Sequence, residues 1–224
     1  MLAKEFMKVL EQYPDGTLFV DLFGGSGLLS HITKSLKPHS TVIYNDFDNY
    51  RFRMKHIPQT NQLLADIREM VGNSVPRHKI IKGELRERIF SRIEQEENST
   101  GYVDFITLSS SILFSMKYKL SVQDMRKEAL YNNIRKTGYP ECTDYLEGLE
   151  IVSCDYKEVF NRYKDIPGVV FLVDPPYLST DVGTYNMYWN MADYLDVLNV
   201  LKGHSYVYFT SNKSSILELC VDTN

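Results

Sequence analysis

Residues 17–27 read TLFVDLFGGSG. An apolar run ends on Asp21, passes Leu22 and Phe23, and enters a turn with three glycines in four positions, Gly24 to Gly27. LLSHITKSL follows, spaced like a helix and stopped near Pro38. Buried strand, tight turn and helix in that order open an α/β unit. Upstream, a short helix at about 2–12 and the Pro14-Asp15-Gly16 turn lead into the strand. Downstream, TVIYN before Asp46, LEIVSC at 149–154, VVFLV at 169–173 and SYVYFTS at 205–211 read as further strands. Helical patterns at about 156–163 and 190–202 separate the last three. Strands that are apolar throughout and alternate with helices predict a doubly wound, mostly parallel sheet covered on both faces.

The character changes between about 66 and 148. RHKIIKGELRERIFSRIEQEEN and SVQDMRKEALYNNIRKTGY read as polar, largely helical segments. The expected organisation is a core of residues 1–65 and 149–224 with a mainly helical insertion at 66–148, joined near Asp66 and Gly148. YVDFITLSSSILFSMKYKL, at 102–120, is the most apolar long stretch, but Asp104, its serines and two lysines favour a buried element over a membrane span. The first residues, MLAKEFMKVLEQYP, lack the apolar region of a signal peptide. Three widely spaced cysteines, Cys142, Cys154 and Cys220, suggest neither a disulfide framework nor a zinc cluster. The expected setting is a reduced cytoplasm, away from membranes and without a metal. A net charge of −4 means that any contact with nucleic acid must be local.

Glycines after a first strand let the backbone approach a ligand closely. Asp46, ending the second strand, stands where a doubly wound sheet can hold ribose hydroxyls with a carboxylate. The spacing is not G-x-G-x-x-G, and no Gly-Lys-Ser/Thr follows. That argues against NAD or ATP and leaves another adenosine-bearing ligand. At 169–180 the chain reads VVFLVDPPYLST. Two successive prolines fix φ and supply no N–H, so they hold Asp174 and Tyr177 in one arrangement at the strand end.

D-x-F-x-G-x-G at Asp21–Gly27, an acid after the second strand and D-P-P-Y at Asp174–Tyr177 resemble the S-adenosylmethionine-dependent DNA adenine-N6 methyltransferases. The order of cofactor motif, insertion and D-P-P-Y is similar to the Dam-like group over roughly 18–212. The resemblance implies a Rossmann-like methyltransferase fold, S-adenosylmethionine as cofactor and double-stranded DNA as partner. It implies that Asp174, Pro175, Pro176 and Tyr177 carry the chemistry. Asp174 and the Pro175 carbonyl would accept the two amino hydrogens of adenine, and Tyr177 would stack on a base rotated out of the duplex. It further implies that Asp21, Phe23, Gly24, Gly25, Ser26 and Gly27 line the methionine end of the cofactor. Asp46 would hold its ribose, and Asp155 would lie near its adenine. Asp155 reads equally as the N-cap of YKEVFNRY. Thr184-Tyr185 and Tyr188-Trp189 would close over the base, and Asn212 stands where the family often has Ser-Asn.

The insertion then has to meet DNA. Arg77, Lys79, Lys82, Arg86, Arg88 and Arg92 form one basic set against Glu84 and Glu87; Lys117, Lys119, Arg126, Lys127, Arg135 and Lys136 form another. Basic groups gain affinity from phosphates by releasing counterions, although charge runs also serve as solvated helix faces. Two departures from the Dam-like pattern stand out. No Lys- and Gly-rich segment precedes the first strand, and thirteen residues after Ser211 leave little room for two final strands. A shortened sheet would expose the edge of its fifth strand and invite a homodimer. Motif chemistry alone leaves open cytosine N4 or an RNA amino group as target, and a non-catalytic relative that binds only DNA or cofactor.

Overall fold

The computed structural model describes residues 2–114, 117–176 and 191–209. In chain order the elements are α1 (Leu2–Glu11), β1 (Phe19–Asp21), α2 (Leu28–Leu36), β2 (Val42–Asn45), α3 (Tyr50–Lys55), α4 (Ile57–Val71), β3 (Ile80–Ile81) and α5 (Gly83–Thr100). There follow α6 (Phe105–Ile112), α7 (Val122–Met125), β4 (Leu130–Tyr131), β5 (Glu150–Val152), α8 (Tyr156–Tyr163), β6 (Val170–Val173), α9 (Met191–Leu201) and β7 (Ser205–Tyr208). These elements gather into two compact units. Among the described residues one contains 2–52, 143–176 and 191–209, and the other takes up 53–142.

The first unit is built on a five-stranded sheet in the order β5-β2-β1-β6-β7, parallel at every pairing. Side chains alternate across a strand, so the two faces can be read from residue parity. Val20, Ile43, Phe171 and Val173 point to one face, where Val159 and Phe160 of α8 and Val197 and Leu201 of α9 cover them. Phe19, Val42, Val170 and Leu172 point to the other, beneath Phe6 and Leu10 of α1 and Leu29 of α2. Because both faces are covered, the central strands carry no polar alternation: β1, β2 and β6 are buried at every residue.

Strand order places the functional end. From β1 the chain moves to β2 on one side and later to β6 on the other, so the order reverses at β1. In open α/β sheets ligands bind at such a reversal, beyond the carboxyl ends of the strands. The glycine turn after Asp21 and the Asp174-Pro-Pro stretch after β6 flank that position, with Asp21 in register with Leu172.

The second unit packs Leu63, Leu64, Ile67 and Val71 of α4 against Ile89, Phe90 and Ile93 of α5 and Leu108 and Ile112 of α6. Here the structure departs from the expected boundaries. Helix α4 runs through Asp66 without interruption, and its whole apolar face belongs to this core, so the division falls at 52/53 and 142/143. The segment 121–139, expected to be largely helical, is helical only at its start. Its first turn is α7, but Leu130–Tyr131 forms a short antiparallel ladder with Ile80–Ile81. Burying Leu130 and Ile81 completely in that ladder outweighs a weak helical preference in a stretch holding Tyr131, Asn132 and Asn133.

Phe90 is fully buried, with the guanidinium groups of Arg86 and Arg126 at 4.6 and 4.5 Å from its ring centroid. Phe90→Ala is expected to cost the second unit about 3–5 kcal/mol, read as a lowered urea midpoint.

Candidate active site at the strand ends

The turn after β1 passes over the ring of Tyr44. A Cβ on Gly24 would lie 2.3 Å from the Tyr44 ring and 2.6 Å from the Asn45 carbonyl oxygen, so no other residue fits. Gly27 has φ +76° and begins α2, its amide donating to the Gly24 carbonyl at 2.7 Å. The Tyr44 hydroxyl, carried on β2, donates to the Gly25 carbonyl at 2.9 Å and lies 3.1 Å from Asp46 Oδ1. Burial and the adjacent Asp46 carboxylate keep that phenol protonated well above its usual range. Asn45 fastens the neighbouring strand ends. Its amide nitrogen donates to the Leu22 and Cys154 carbonyls at 3.0 and 2.9 Å, and its oxygen accepts the Cys154 amide at 3.1 Å. Tyr44, Asn45 and Ser30 escape a sequence reading because their side chains act on groups far along the chain.

Asp21 is wholly buried. Its Oδ2 accepts the Ser30 hydroxyl of α2 at 2.7 Å, while Oδ1 meets no hydrogen-bond partner among the described residues. Burial pushes this carboxyl up to about 7, and the charge of Asp174 adds to the rise. The Ser30 hydrogen bond and the nearby Phe23 and Ser30 amides oppose it. Phe23 is half-buried with its ring 5.0 Å from that of Tyr156. Gly25 is half-buried as well, and Ser26 is exposed.

Asp46 is 4% exposed. Its carboxylate accepts the Tyr50 amide at 2.5 Å and the Arg51 amide at 3.2 Å, closing the N-terminus of α3. With the Tyr44 proton shared between the Gly25 carbonyl and Oδ1, at most three of roughly four acceptor positions are engaged, leaving one on Oδ2. Asp155 is exposed and caps α8, accepting the Lys157 amide at 2.8 Å. Asp174 is half-buried and Pro175 buried, directly after β6. The Tyr194 hydroxyl of α9 donates to the Pro176 carbonyl. Tyr177, Thr184, Tyr185, Tyr188, Trp189 and Asn212 lie outside the described residues.

In the second unit the basic residues divide. Lys117 and Lys119 both pair with Glu128, Arg126 with Glu87 and Glu94, and Arg86 with Glu87. Arg77 donates to the Ile134 carbonyl. Lys79 and Lys82, exposed on either side of β3, make no ion pair among the described residues. Among the described residues no cluster of His, Cys, Asp and Glu is placed to hold a metal, and no helix is long and apolar enough to cross a membrane.

A Cβ-free cradle over Tyr44, a buried carboxyl oxygen without a partner and an acceptor left on Asp46 suit a cationic, adenosine-bearing ligand. Residues 1–214 match the family model of the D12 class N6 adenine-specific DNA methyltransferases. A Haemophilus influenzae protein named "Putative methyltransferase" is 36% identical over 223 residues, covering 97% of this chain and 74% of that protein.

Two outcomes follow from the site. Gly24→Ala should lower the melting temperature and abolish ligand binding together, since the added methyl displaces the Tyr44 ring or the Asn45 backbone. The second concerns pH. A carboxyl raised from 3.8 to about 7 holds its proton more tightly in the folded chain. Its contribution to stability is complete below about pH 4 and is lost as pH rises through 7. Asp21→Asn removes that loss, so melting curves should favour the variant over the parent more at pH 8 than at pH 5.

Proposed function

The chain belongs to the D12 class N6 adenine-specific DNA methyltransferases, and from that premise we propose how its residues carry methyl transfer from S-adenosylmethionine to the exocyclic N6 of adenine in DNA. The observation that carries the reading is the meeting of the glycine turn and the Asp174-Pro-Pro stretch at the strand reversal, with Asp21 and Asp174 close enough to feel each other's charge.

The adenine amino group is a poor nucleophile because its lone pair is delocalised into the ring. The Asp174 carboxylate and the Pro175 carbonyl accept its two hydrogens, which localises the lone pair and aims it. Pro175 and Pro176 keep these acceptors rigid, and the Tyr194 hydroxyl anchors the Pro176 carbonyl from α9. Tyr177 offers a flat face to a base taken out of the duplex, a stacking interaction worth about 1–3 kcal/mol. S-adenosylmethionine, when bound, supplies a methyl group already activated on a positive sulfonium. The protein's part is therefore positioning and electrostatics. Asp21, Phe23 and Gly24 to Gly27 hold the methionine end, and the remaining acceptor of Asp46 takes one ribose hydroxyl. Asp155, whose carboxylate already caps α8, borders the adenine.

DNA contact falls to the second unit. Arg86, Lys117, Lys119 and Arg126 are largely neutralised by Glu87, Glu94 and Glu128. Lys79 and Lys82 are therefore the stronger phosphate ligands, with Arg77 and Tyr185 beside the bound duplex.

Incubation with S-adenosylmethionine and mixed-sequence duplex DNA, followed by digestion and mass spectrometry of the nucleosides, should yield N6-methyladenine. N4-methylcytosine instead would overturn the choice of base. Asp174→Ala should abolish the product while the chain still binds DNA. Replacing Lys79 and Lys82 together by Ala should make the salt dependence of DNA affinity shallower by about two logarithmic units per decade of salt, ~0.9 for each phosphate that the variant leaves unneutralised. An unchanged slope would exclude both lysines from the interface.

A further inference from the structure

The buried acids of this protein are not equally provided for. Asp46 meets a hydroxyl and two amides, and Asp104, in the second unit, meets Arg53 and Thr107. Asp21 meets one hydroxyl, and its other oxygen, sealed from solvent, has no hydrogen-bond partner among the described residues, with only the Phe23 and Ser30 amides nearby. A carboxylate anion in that position is costly, because burial removes its hydration and the Ser30 hydroxyl with two nearby amides replaces it only in part.

Among the described residues, the groups around Asp21 offer no compensating cation. From β2, the titratable groups near it are the Tyr44 phenol and, bonded to that phenol, the Asp46 carboxylate. From the end of β6 the group facing it is Asp174, a like charge. From α2 it receives the Ser30 hydroxyl, with the Ser30 amide nearby; the adjacent ionisable ring, His31, stacks on Tyr145 with centroids 4.3 Å apart and bonds the Tyr145 carbonyl oxygen. No lysine or arginine pairs with Asp21 among the described residues. Two acids beside each other cannot both ionise cheaply, and the wholly buried one, which pairs with no described lysine or arginine, keeps its proton more readily than the half-buried one.

We propose that binding of the cofactor is coupled to release of the Asp21 proton, so that this carboxyl becomes a counter-charge only when the cationic methionine end of S-adenosylmethionine arrives beside it. The inference rests on the cofactor reading above. The proton passes from Asp21 Oδ1 to solvent as positive charge enters the pocket, leaving the local charge balanced. In the free protein the neutral acid spares Asp174 a second negative neighbour. In the loaded protein the new anion is offset by the ligand. A ligand that requires the anion must bind more weakly as pH falls below the value at which the free protein loses that proton, by about tenfold per pH unit.

Isothermal titration of S-adenosylmethionine into the full chain, at pH 6, 7 and 8 in two buffers of different ionisation enthalpy, reads the coupling directly. The expected result is release of close to one proton at pH 6, falling towards none at pH 8, with the dissociation constant rising about fivefold from pH 7 to pH 6. Asp21→Asn should abolish both effects. Ser30→Ala, which removes the hydrogen bond favouring the anion, should move the transition to higher pH. An independent readout needs no cofactor: the infrared carbonyl band of a protonated carboxyl should be present in the ligand-free chain at pH 6 and missing from Asp21→Asn. Cofactor binding without proton release, or proton release undiminished in Asp21→Asn, overturns this inference alone. A chain that shows the band but binds no cofactor at any pH overturns the functional reading and this coupling with it.

Discussion

The turn after β1 has to cross the Tyr44 ring with no space for a single methyl group. Much at the functional end depends on that crossing. With Gly24 pressed on the ring, the Gly27 amide reaches back to the Gly24 carbonyl and α2 can start at Leu28. Starting there, α2 brings the Ser30 hydroxyl to the Asp21 carboxyl. The same ring carries the hydroxyl that ties Gly25 to Asp46, so the first two strand ends are held by one aromatic side chain. Close backbone approach and rigidity come from one interaction. Opening it for a Cβ would disturb cradle, helix start and acid alike.

Charge at this end is arranged by burial more than by pairing. Asp21 and Asp174 follow neighbouring parallel strands, and residue parity carries both towards the face covered by α1 and α2. Their mutual influence is a consequence of strand order, since β1 and β6 are adjacent only because the order reverses there. Asp46 differs: amides and a phenol satisfy its carboxylate, and it serves the backbone of α3 before it serves any ligand. Two acids that look alike in the chain thus occupy unlike electrostatic surroundings.

The second unit illustrates how poorly a count of charges predicts a surface. Its two basic sets stand apart in sequence, yet Glu87 joins Arg86 to Arg126, and Glu128 gathers Lys117 and Lys119. Glu94, seven residues along α5 from Glu87, also reaches Arg126. Such exposed pairs add little stability individually, but they lower the positive potential that a polyanion would meet.

Much of the sheet could be read directly from the chain. Apolar strands, the Gly24–Gly27 turn and the helix starting at Leu28 all rest on local periodicity and backbone sterics, which neighbouring residues set among themselves. The Asp174-Pro-Pro stretch was legible for the same reason, because proline acts on its own backbone and on the residue before it. Three things were decided only by tertiary structure. Helix α4 joined the second unit because its apolar face found α5 and α6; Leu130–Tyr131 became a strand because Ile80–Ile81 was there to pair with it. Asp21 became a buried carboxyl held above the usual carboxylate range because strand order set it beside Asp174, under α2 and unpaired with any described cation. Burial and like-charge proximity are properties of residues far apart in sequence, and no local pattern encodes them.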